Sequence, residues 1–492
     1  MLVLRLLGAL AFLVPLGLYL ASTGGYPAYW DTGELQTVPY ILGIAHPTGF
    51  PLFTLVGWIV SHGVPLGSVA WRINAMCAVA VAGAAWTAWR VAVRLGAYPP
   101  MALVAALWFA CGTVVWTRAI RADVHDLALL LGTLAIASAL EFHLTGDART
   151  LVWSALWFGL GLANHPIAIW LVPGLLVLAL IGGHKIPARS VAVSCVLVTT
   201  ALALYAYLPI RSAVVTAAGL DPTRILPGID GGFLWDYNHP STWQGFLAEV
   251  SGSQFGAGST VAAALALGAY PTYAQQWLHE AVPEFGQFGM LLAAIGVVML
   301  ALRDWRAVAG LVIAACAAVP FAVAFRAVES DVARYFMLSF WMVGVAVAGW
   351  LPAAWFERGS ALEKAVAAAI LLFTAVYAAR TLHGNVAILQ MRDDRGAQNV
   401  IDTVRSSTPA NAVVVTPWLD ATALGYAAYV QRSLGSRIIV SAWPDDMVAE
   451  YPAWMRQRPV YVAFDGEPRL GKLHAKRSSR PYAPIGVYEV VR

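Results

Sequence analysis

The chain has 492 residues, of which 59% are hydrophobic and only 12% are charged. A typical soluble domain carries about 25% charged residues, so this chain lacks the charged surface that a soluble protein of its size needs. Composition therefore excludes an ordinary soluble enzyme and predicts a polytopic membrane protein. The net charge of +4 is spread along the chain without a basic run, which argues against nucleic-acid binding.

Apolar stretches long enough to span a membrane recur along the chain. A membrane-spanning helix needs roughly 20 mainly apolar residues. The first stretch is interpreted as a retained helix because it is long and Arg5 is the only basic residue near its start. Cleavage at the small residues of "ASTGG" remains an alternative. The sequence predicts about eleven transmembrane helices, near residues 2–21, 73–95, 99–117, 124–142, 150–163, 166–182, 190–209, 286–302, 307–325, 335–353 and 363–380.

One of these stretches, residues 151–181, is uncharged but contains "NHP" at 164–166. Proline disfavours a helical conformation at the residue before it and lacks an N–H donor. The segment is therefore predicted to form two short helices that meet at a polar break. With a cytoplasmic N-terminus, this count places most basic loops in the cytoplasm, in agreement with the positive-inside tendency. The predicted location is the bacterial cytoplasmic (inner) membrane, with the active site facing outside.

Two long segments interrupt the apolar pattern. Residues 22–72 and 210–285 are predicted to be outer loops of a transmembrane domain that comprises residues 1–383. The apolar piece 51–64 is too short to span and predicts an interfacial or re-entrant helix. Further along, strand-like stretches such as "NAVVVTPW" and "SRIIVSAW" alternate with helix-like ones. Residues 384–492 are therefore predicted to form a small soluble α/β domain outside the membrane.

Several polar motifs fall on the predicted outer side. Ionisable residues at membrane depth are costly and mark functional sites. Asp31 and Glu34 in "WDTGEL" fit a capping box at a helix start, and an ionised N-cap aspartate could equally act as a catalytic base. Arg118, Arg121 and Arg211 fit interfacial anchors or phosphate ligands, because a guanidinium group binds phosphate in a bidentate manner.

Histidines and cysteines offer weaker signals. His46 and His165 each precede a proline, where a lone histidine is either a hydrogen-bonded structural group or a ligand. The histidines and carboxylates show no tight ligand spacing, so no metal site is predicted. The cysteines lie inside apolar runs and are predicted to be small core residues, not a disulfide framework. They are Cys77, Cys111, Cys195 and Cys316.

The motifs as a set resemble a known family. "DTGELQTVPYILGIAHPTGFPLFTLVG" resembles the first-loop signature of the protein O-mannosyltransferase-like multi-pass proteins in the GT-C glycosyltransferase superfamily. "VVWTRAIRADVHDLALL", "GLGLANHPIAIWLVPG", "YLPIRS", "HPSTWQGFLAEVSGSQF" and "DVARYF" are similar to further motifs of that family, in the same order. The resemblance covers about residues 1–350 in register and the C-terminal domain more loosely. It implies a GT-C-like membrane fold.

The resemblance also implies a function. The enzyme would transfer a monosaccharide, mannose being the sugar that the family suggests, from a polyprenyl-phosphate donor to an acceptor hydroxyl with inversion. Asp31 would be the catalytic base and Glu34 its helper, while cations would stabilise the departing lipid phosphate. No other cofactor is expected. The implied substrate-binding residues are His46, Arg118, Arg121, Asp123, His125, Asn164, His165 and Arg211.

One departure from the family pattern bears on the site. Where the family has Glu-Val-Tyr, this chain has Asp123, Val124 and His125. A shorter carboxylate and an imidazole would change the donor or acceptor pocket, so the sugar and the acceptor stay open. Asp123 is also the rival candidate for the catalytic base.

Two other functions remain as alternatives. A transporter or flippase of lipid-linked sugars would use the same charges as a pathway, although the internal two-fold repeats frequent in transporters are not evident. A non-catalytic membrane anchor for the C-terminal domain is the third possibility. For a transferase, the expected partners are membrane lipid, a polyprenyl-phosphate sugar and a protein or glycan acceptor that the C-terminal domain binds or orients.

Overall fold

A computed structural model describes residues 2–327, 331–480 and 482–492. Helices dominate it. In chain order they are α1 (Leu2–Ser22), α2 (Trp30–Ile41), α3 (Pro51–Gly63), α4 (Val69–Arg94), α5 (Pro99–Ala110), α6 (Thr113–Ala119), α7 (Val124–Thr145), α8 (Ala148–Asn164), α9 (Val172–Ile181), α10 (Ala188–Leu202), α11 (Tyr207–Ala217), α12 (Trp243–Ser251), α13 (Ala257–Ala264), α14 (Tyr270–Cys316), α15 (Val319–Phe325), α16 (Met337–Gly349), α17 (Ala353–Glu357), α18 (Ala361–Gly384), α19 (Gly396–Ser407), α20 (Trp418–Tyr429) and α21 (Tyr451–Trp454). The strands are β1 (Val413–Thr416), β2 (Ile438–Ser441), β3 (Val460–Phe464), β4 (His474–Arg477) and β5 (Gly486–Val491).

The described residues fall into two compact units, each built from three stretches of chain. The first, here called the helical unit, contains residues up to 23 together with 77–204 and 253–391. The second, the mixed unit, contains residues 24–76, 205–252 and 392–492. The sequence had assigned both long loops to the transmembrane domain. The structure instead places most of the first loop and residues 210–252 in the unit that holds the C-terminal α/β segment.

The predicted membrane-spanning stretches all fall on helical segments. In the described part of the chain, six helical segments are long and apolar enough to cross a membrane. A seventh is present if α5 and α6, which meet at an angle of 71°, form one bent span. Other apolar helices are shorter, such as the segment Ala333–Gly349. The polytopic helical fold is confirmed, and the count of eleven crossings stays a prediction.

Two predicted breaks have clear local causes. Helix α8 ends at Asn164, and a short 3-10 turn that begins at Pro166 leads into α9, as the "NHP" pattern predicted. The long helix α14 contains non-helical residues at Gly286 and Asp304. The Asp304 carboxylate accepts hydrogen bonds from the backbone N–H groups of Arg306 (3.1 Å) and Ala307 (3.0 Å). It thereby caps the next helical stretch and separates the predicted spans 286–302 and 307–325.

The helical unit is held together by close helix contacts and buried aromatic rings. At Gly296 in α14, a side-chain Cβ would lie 1.8 Å from the Ala346 carbonyl oxygen of α16, so only glycine permits this approach. The fully buried Trp341 donates its indole N–H to the Ala84 carbonyl and the Thr87 hydroxyl, each at 3.1 Å. This large ring is therefore buried with its polar atom satisfied.

The C-terminal part of the mixed unit forms the predicted α/β structure. Its five-stranded sheet has the order β2-β1-β3-β5-β4. Strands β2 and β3 flank β1 in parallel, and β5 runs antiparallel to β3 and β4. Strand β4, mostly exposed and rich in charge, escaped the sequence prediction because it has no apolar alternation.

The first loop packs against this α/β segment within the mixed unit. A Cβ on Gly33 of α2 would lie 2.9 Å from the Thr422 hydroxyl of α20, so the two helices meet where a side chain is missing. The Tyr426 hydroxyl accepts the backbone N–H of Ala70 at 3.0 Å. The Trp454 indole donates to the Pro227 carbonyl at 2.8 Å. These contacts join all three chain stretches of the unit.

Candidate active site

The predicted site residues form two groups, one in each unit. Those of the mixed unit are Asp31, Glu34, His46 and Arg211. Those of the helical unit are Arg118, Arg121, Asp123, His125, Asn164 and His165.

The first group centres on helix α2. This helix begins at Trp30, and its N-cap residue is Tyr29, which makes no side-chain capping hydrogen bond. The predicted capping box between Asp31 and Glu34 is therefore wrong. The physical reason is that Glu34 is fully buried and turns to His46 instead.

Glu34 and His46 form a tight pair. One Glu34 oxygen accepts the backbone N–H of His46 at 2.7 Å, and the other pairs with the imidazole Nδ1. Both carboxylate oxygens of Glu34 are thus engaged by one residue. Asp31, by contrast, is partly exposed. The ligating atoms of Asp31, Glu34 and His46 all lie within 4.8 Å of one another, so the structure brings together three residues that the sequence spaces irregularly.

The "AHPTGFP" loop holds His46 in place. The Gly49 N–H donates to the His46 carbonyl at 2.9 Å, with Gly49 at a φ of 77° that favours glycine. The imidazole packs edge-on against Phe50 and against Trp418 of α20, with ring centroids at 5.1 and 6.2 Å. Pro51 then starts helix α3, within the segment predicted to be an interfacial or re-entrant helix.

A further buried carboxylate, missed by the sequence analysis, belongs to this neighbourhood. Glu249 in α12 is fully buried, and its Oε2 accepts from the Asn238 amide at 3.0 Å. Among the described residues its Oε1 has no hydrogen-bond partner. Burial raises the pKa of the Glu249 carboxyl well above its ordinary value, while His46 opposes that shift and Glu34 adds to it. Glu249 is the one carboxylate in the largely apolar helix "WQGFLAEVS", and this is the sequence feature that could have marked it as a candidate site residue.

Arg211 lies in the mixed unit with a defined structural contact. Its Nη2 donates to the Ile41 carbonyl at 3.0 Å, and its Nε donates to the Leu42 carbonyl. The Tyr207 hydroxyl donates to the Gly43 carbonyl at 2.7 Å. Helix α11 thus satisfies the free carbonyls at the C-terminal end of α2, where a cation is also favoured by the helix dipole. A substrate-binding role for Arg211 stays a prediction.

The second group surrounds Asp123, the N-cap residue of α7. Its Oδ1 accepts from the His125 backbone N–H at 2.9 Å and lies 2.8 Å from the His125 imidazole. Its Oδ2 lies 3.9 Å from an Arg118 nitrogen and 4.0 Å from an Arg334 nitrogen. Burial alone would raise the pKa of the Asp123 carboxyl, but His125 and the two guanidinium groups hold it well below its usual range.

The remaining predicted residues shape this second group. The Asn164 amide donates to the Val124 carbonyl at 2.8 Å, so the "NHP" break holds the start of α7. The His165 Nδ1 accepts from the Ile167 N–H at 3.0 Å, and its ring lies 4.6 Å from the His125 ring. Arg118 also pairs with Asp331. Arg121 follows α6 and is partly exposed.

An apolar cleft opens beside these cations. Its cavity volume is about 40 Å³. Its polar lining comes from His125, Arg334 and Tyr335, and the rest of its wall is apolar, including Leu171 and Leu338. Arg334 and Tyr335 belong to the "DVARYF" motif. A cleft with an apolar wall and a cationic rim suits an amphiphile with an anionic head group.

Residues 31–187 match the family model described as the Protein O-mannosyl-transferase TMEM260 N-terminal domain. A Mus musculus protein, "Protein O-mannosyl-transferase TMEM260", is 28% identical over 236 residues. The predicted family resemblance is confirmed. A Dictyostelium discoideum protein, "Protein O-mannosyl-transferase tmem260", is 52% identical over 48 residues.

These TMEM260-type alignments are partial. They cover 46% and 9% of this chain, and 31% and 6% of the mouse and Dictyostelium proteins. The match thus spans less than two thirds of those relatives, and the activity in their names belongs to them as whole proteins. Both organisms are eukaryotes, so a bacterial inner-membrane location stays a prediction.

The fold is similar to two crystal structures of ArnT from Cupriavidus metallidurans. One is bound to undecaprenyl phosphate and has a TM-score of 0.54 at 13% sequence identity. The other is in the apo state, with a TM-score of 0.52 at 12% identity. Each match covers 98% of this chain and 97% of the other chain. This likeness confirms the GT-C-like membrane fold that the motifs predicted.

Proposed function

We propose that this protein is a membrane glycosyltransferase that moves a monosaccharide from a polyprenyl-phosphate donor to an acceptor hydroxyl at the outer face of the membrane. The observation that carries the proposal is the group of cations around Asp123 within the helical unit. The helical unit gathers guanidinium groups beside an apolar cleft. The mixed unit gathers carboxylates around a histidine.

In this proposal the helical unit binds the donor. The apolar wall of the cleft suits an isoprenoid chain, and Arg334 at its rim suits the phosphate, because guanidinium groups bind phosphate through two N–H donors. Arg118 would assist, since Asp123 and Asp331 already hold its side chain in place. The ArnT structure with bound undecaprenyl phosphate, which shares this fold, supports a lipid-linked donor.

The mixed unit supplies the base. Asp31 is partly exposed, whereas the oxygens of Glu34 are occupied by His46. Asp31 would accept the proton of the acceptor hydroxyl, and Glu34 would help by fixing His46 beside it. Asp123 suits this task less well because its neighbouring cations favour the ionised carboxylate and weaken it as a proton acceptor.

The chemical step is a direct displacement. The acceptor oxygen forms a bond to the anomeric carbon while the bond from that carbon to the phosphate oxygen breaks, which inverts the anomeric configuration. The electron pair of the broken bond leaves with the polyprenyl phosphate, where the arginines stabilise the added charge. The hydroxyl proton passes to Asp31. Mannose as the sugar and protein serine or threonine as the acceptor follow from the TMEM260 names.

The test is a donor panel. Purified full-length protein is incubated with polyprenyl-phosphate mannose and other polyprenyl-phosphate sugars, with a hydroxylated peptide as acceptor. Release of polyprenyl phosphate together with sugar on the peptide is the expected result. Movement of intact lipid-linked sugar across vesicles without any release would contradict the proposal and favour the flippase alternative.

A further inference from the structure

A groove runs along the surface of the helical unit between α1 and α4. Its volume is about 560 Å³, and it is open on one side. The groove forms beside the point where the two helices touch. There a Cβ on Gly8 would lie 2.8 Å from the ring of Trp89, so a larger residue would push the helices apart. The Trp89 indole donates to the Pro99 carbonyl at 3.3 Å, which holds this ring in place.

The walls of the groove are apolar. Leu4, Ala9 and Phe12 of α1 line it together with Trp86 and Trp89 of α4. Both helices are long and apolar enough to cross a membrane. In a membrane the open side of the groove therefore borders lipid and not water, and its shape and apolar walls suit an acyl chain.

Two arginines lie at one end of this apolar surface. Arg5 is part of the lining, and the Arg90 guanidinium lies 5.6 Å from the centre of the Trp86 ring. Arg5 precedes Gly8 by less than one helical turn, and Arg90 directly follows Trp89. Because Gly8 and Trp89 touch, both arginines lie at about the same level of the two helices.

These two cations differ from a third arginine nearby. Arg94, about one turn further along α4, is paired with Glu141 at 2.6 Å. Arg5 and Arg90 form no salt bridge with any residue that the structure describes. A guanidinium group binds a phosphate through two parallel N–H donors, so two such groups beside an apolar groove are complementary to an anionic lipid.

The groove is separate from the proposed transfer site. Near the other end of α4, the Cys77 thiol accepts the backbone N–H of Asp123 at 3.4 Å. A helix rises about 1.5 Å per residue, so Arg90 lies about 20 Å along α4 from Cys77. This is much of the roughly 30 Å thickness of a bilayer core. The two arginines therefore belong to the end of α4 that the sequence predicts to be cytoplasmic.

We propose that the groove between α1 and α4 binds one anionic phospholipid of the surrounding membrane. Its phosphate contacts Arg5 and Arg90, and an acyl chain lies in the groove along Ala9 and Phe12. Anionic lipids are concentrated in the cytoplasmic leaflet, and basic pockets between membrane helices bind their head groups. The site goes beyond the proposed transfer reaction, because this lipid holds α1 against α4 and is not a substrate.

Native mass spectrometry tests this lipid site. Delipidated full-length protein in detergent is titrated with dioleoylphosphatidylglycerol and, in parallel, with dioleoylphosphatidylcholine, which has the same acyl chains but no net charge. We expect the first phosphatidylglycerol to bind more tightly than phosphatidylcholine. Arg5→Gln and Arg90→Gln should each weaken phosphatidylglycerol binding roughly fivefold, the usual effect of one basic residue beside an anionic lipid surface.

The matched control is Arg94→Gln. It removes the same charge from the same end of α4, but this arginine is already paired with Glu141, so the phosphatidylglycerol affinity should stay at the wild-type value. Ala9→Phe fills the groove and leaves both arginines in place. Because Ala9 is exposed, this variant should fold and should still bind phosphatidylglycerol more weakly. Thermal unfolding of each variant shows that it is folded.

Equal affinity for the two phospholipids would overturn the proposal, as would unchanged phosphatidylglycerol binding in both Arg5→Gln and Arg90→Gln. An equal loss in Arg94→Gln would also overturn it, because net charge and not the groove would then explain the binding. Displacement of phosphatidylglycerol by a much lower concentration of undecaprenyl phosphate would assign the groove to a polyprenyl lipid instead. None of these measurements depends on sugar transfer, so failure of the transferase proposal would leave the lipid result unchanged.

Discussion

Asp123 in the helical unit and Glu34 in the mixed unit are both buried, but they face opposite electrostatic surroundings. Asp123 lies within 4.0 Å of two arginines and is hydrogen-bonded to His125. Glu34 contacts one histidine and is near Glu249, a second buried carboxylate. The difference shows that burial alone does not define what a carboxylate can do. The neighbouring charges decide whether a buried carboxylate stays ionised and holds arginines in place, or can take up a proton.

The largest expected effect is a loss of turnover when the proposed proton acceptor in the mixed unit, Asp31, is replaced. Asp31→Asn keeps the size of the side chain but removes the proton acceptor. Turnover should fall about 10²–10⁴-fold, the usual contribution of general acid–base catalysis, with little change in thermal stability. The measurement is the initial rate of polyprenyl phosphate release at saturating donor.

Glu34→Gln is the matched variant for Asp31→Asn. It should lower turnover less, because it removes a helper and leaves the base in place. Normal turnover in Asp31→Asn, together with complete loss in Asp123→Asn, would assign the base to the helical unit instead.

The role of Asp123 in holding the arginines of the helical unit is tested by Asp123→Asn. Removing this charge takes the shared carboxylate from Arg334 and from Arg118, which keeps its pair with Asp331, and breaking a buried ion pair costs at most about 3–5 kcal/mol. A clear decrease in Tm is therefore expected, together with weaker donor binding. An unchanged Tm would show that the arginines have other partners strong enough to hold them.

A smaller effect is expected at Asp420, a buried carboxylate in the first turn of α20. Burial, with a contribution from Asp465, raises its pKa to about 6. Because the folded-state pKa lies above the unfolded value, the folded state binds more protons, and stability is lost as pH rises from about 4 to 6. Asp420→Asn should therefore stabilise the protein at pH 7.5, by at most about 3 kcal/mol.

That stabilisation should disappear at pH 3.5, where the wild-type carboxyl is protonated. Thermal unfolding of both proteins at the two pH values is the measurement. An equal difference in Tm at both pH values would mean that asparagine acts through packing and not through charge.

The smallest effect concerns Arg211. Arg211→Lys keeps the charge but loses the two-pronged contact with the carbonyls of Ile41 and Leu42. A loss of about 1 kcal/mol in stability is expected, the net worth of a typical hydrogen bond. The KM for donor separates the two roles: an unchanged value indicates a helix anchor, and a large increase indicates the phosphate ligand that the sequence suggested.

The fold was largely predictable from sequence because apolar length and helix–strand alternation are local signals. The "NHP" break and strands β1 and β2 were predicted in this way. The mixed unit was not, because its assembly depends on contacts between distant segments. Gly33 beside Thr422 and Tyr426 beside Ala70 are separated by more than 350 residues of chain and follow no local pattern.

The residues of the first candidate group could be proposed from the sequence, but their pairing could not. Motif order identified Asp31, Glu34 and His46, yet the spacing of Asp31 and Glu34 suggested a capping box. The competing partner was His46, which the turn at Gly49 brings back to α2. Glu249 was not among the predicted site residues, because the sequence alone suggests that a single glutamate in a short helix is exposed. The structure shows that it is buried.

The three-part construction of the mixed unit has a consequence for biosynthesis. Helix α2 carries the proposed base but packs against α20, which is made almost 380 residues later. The face of α2 that contacts α20 therefore stays unpacked while the intervening chain is synthesised and inserted. The loop can complete its packing only after residues 392–492 have been synthesised. Helix α2 is thus synthesised well before the helix it packs against, so the proposed base reaches its folded surroundings late.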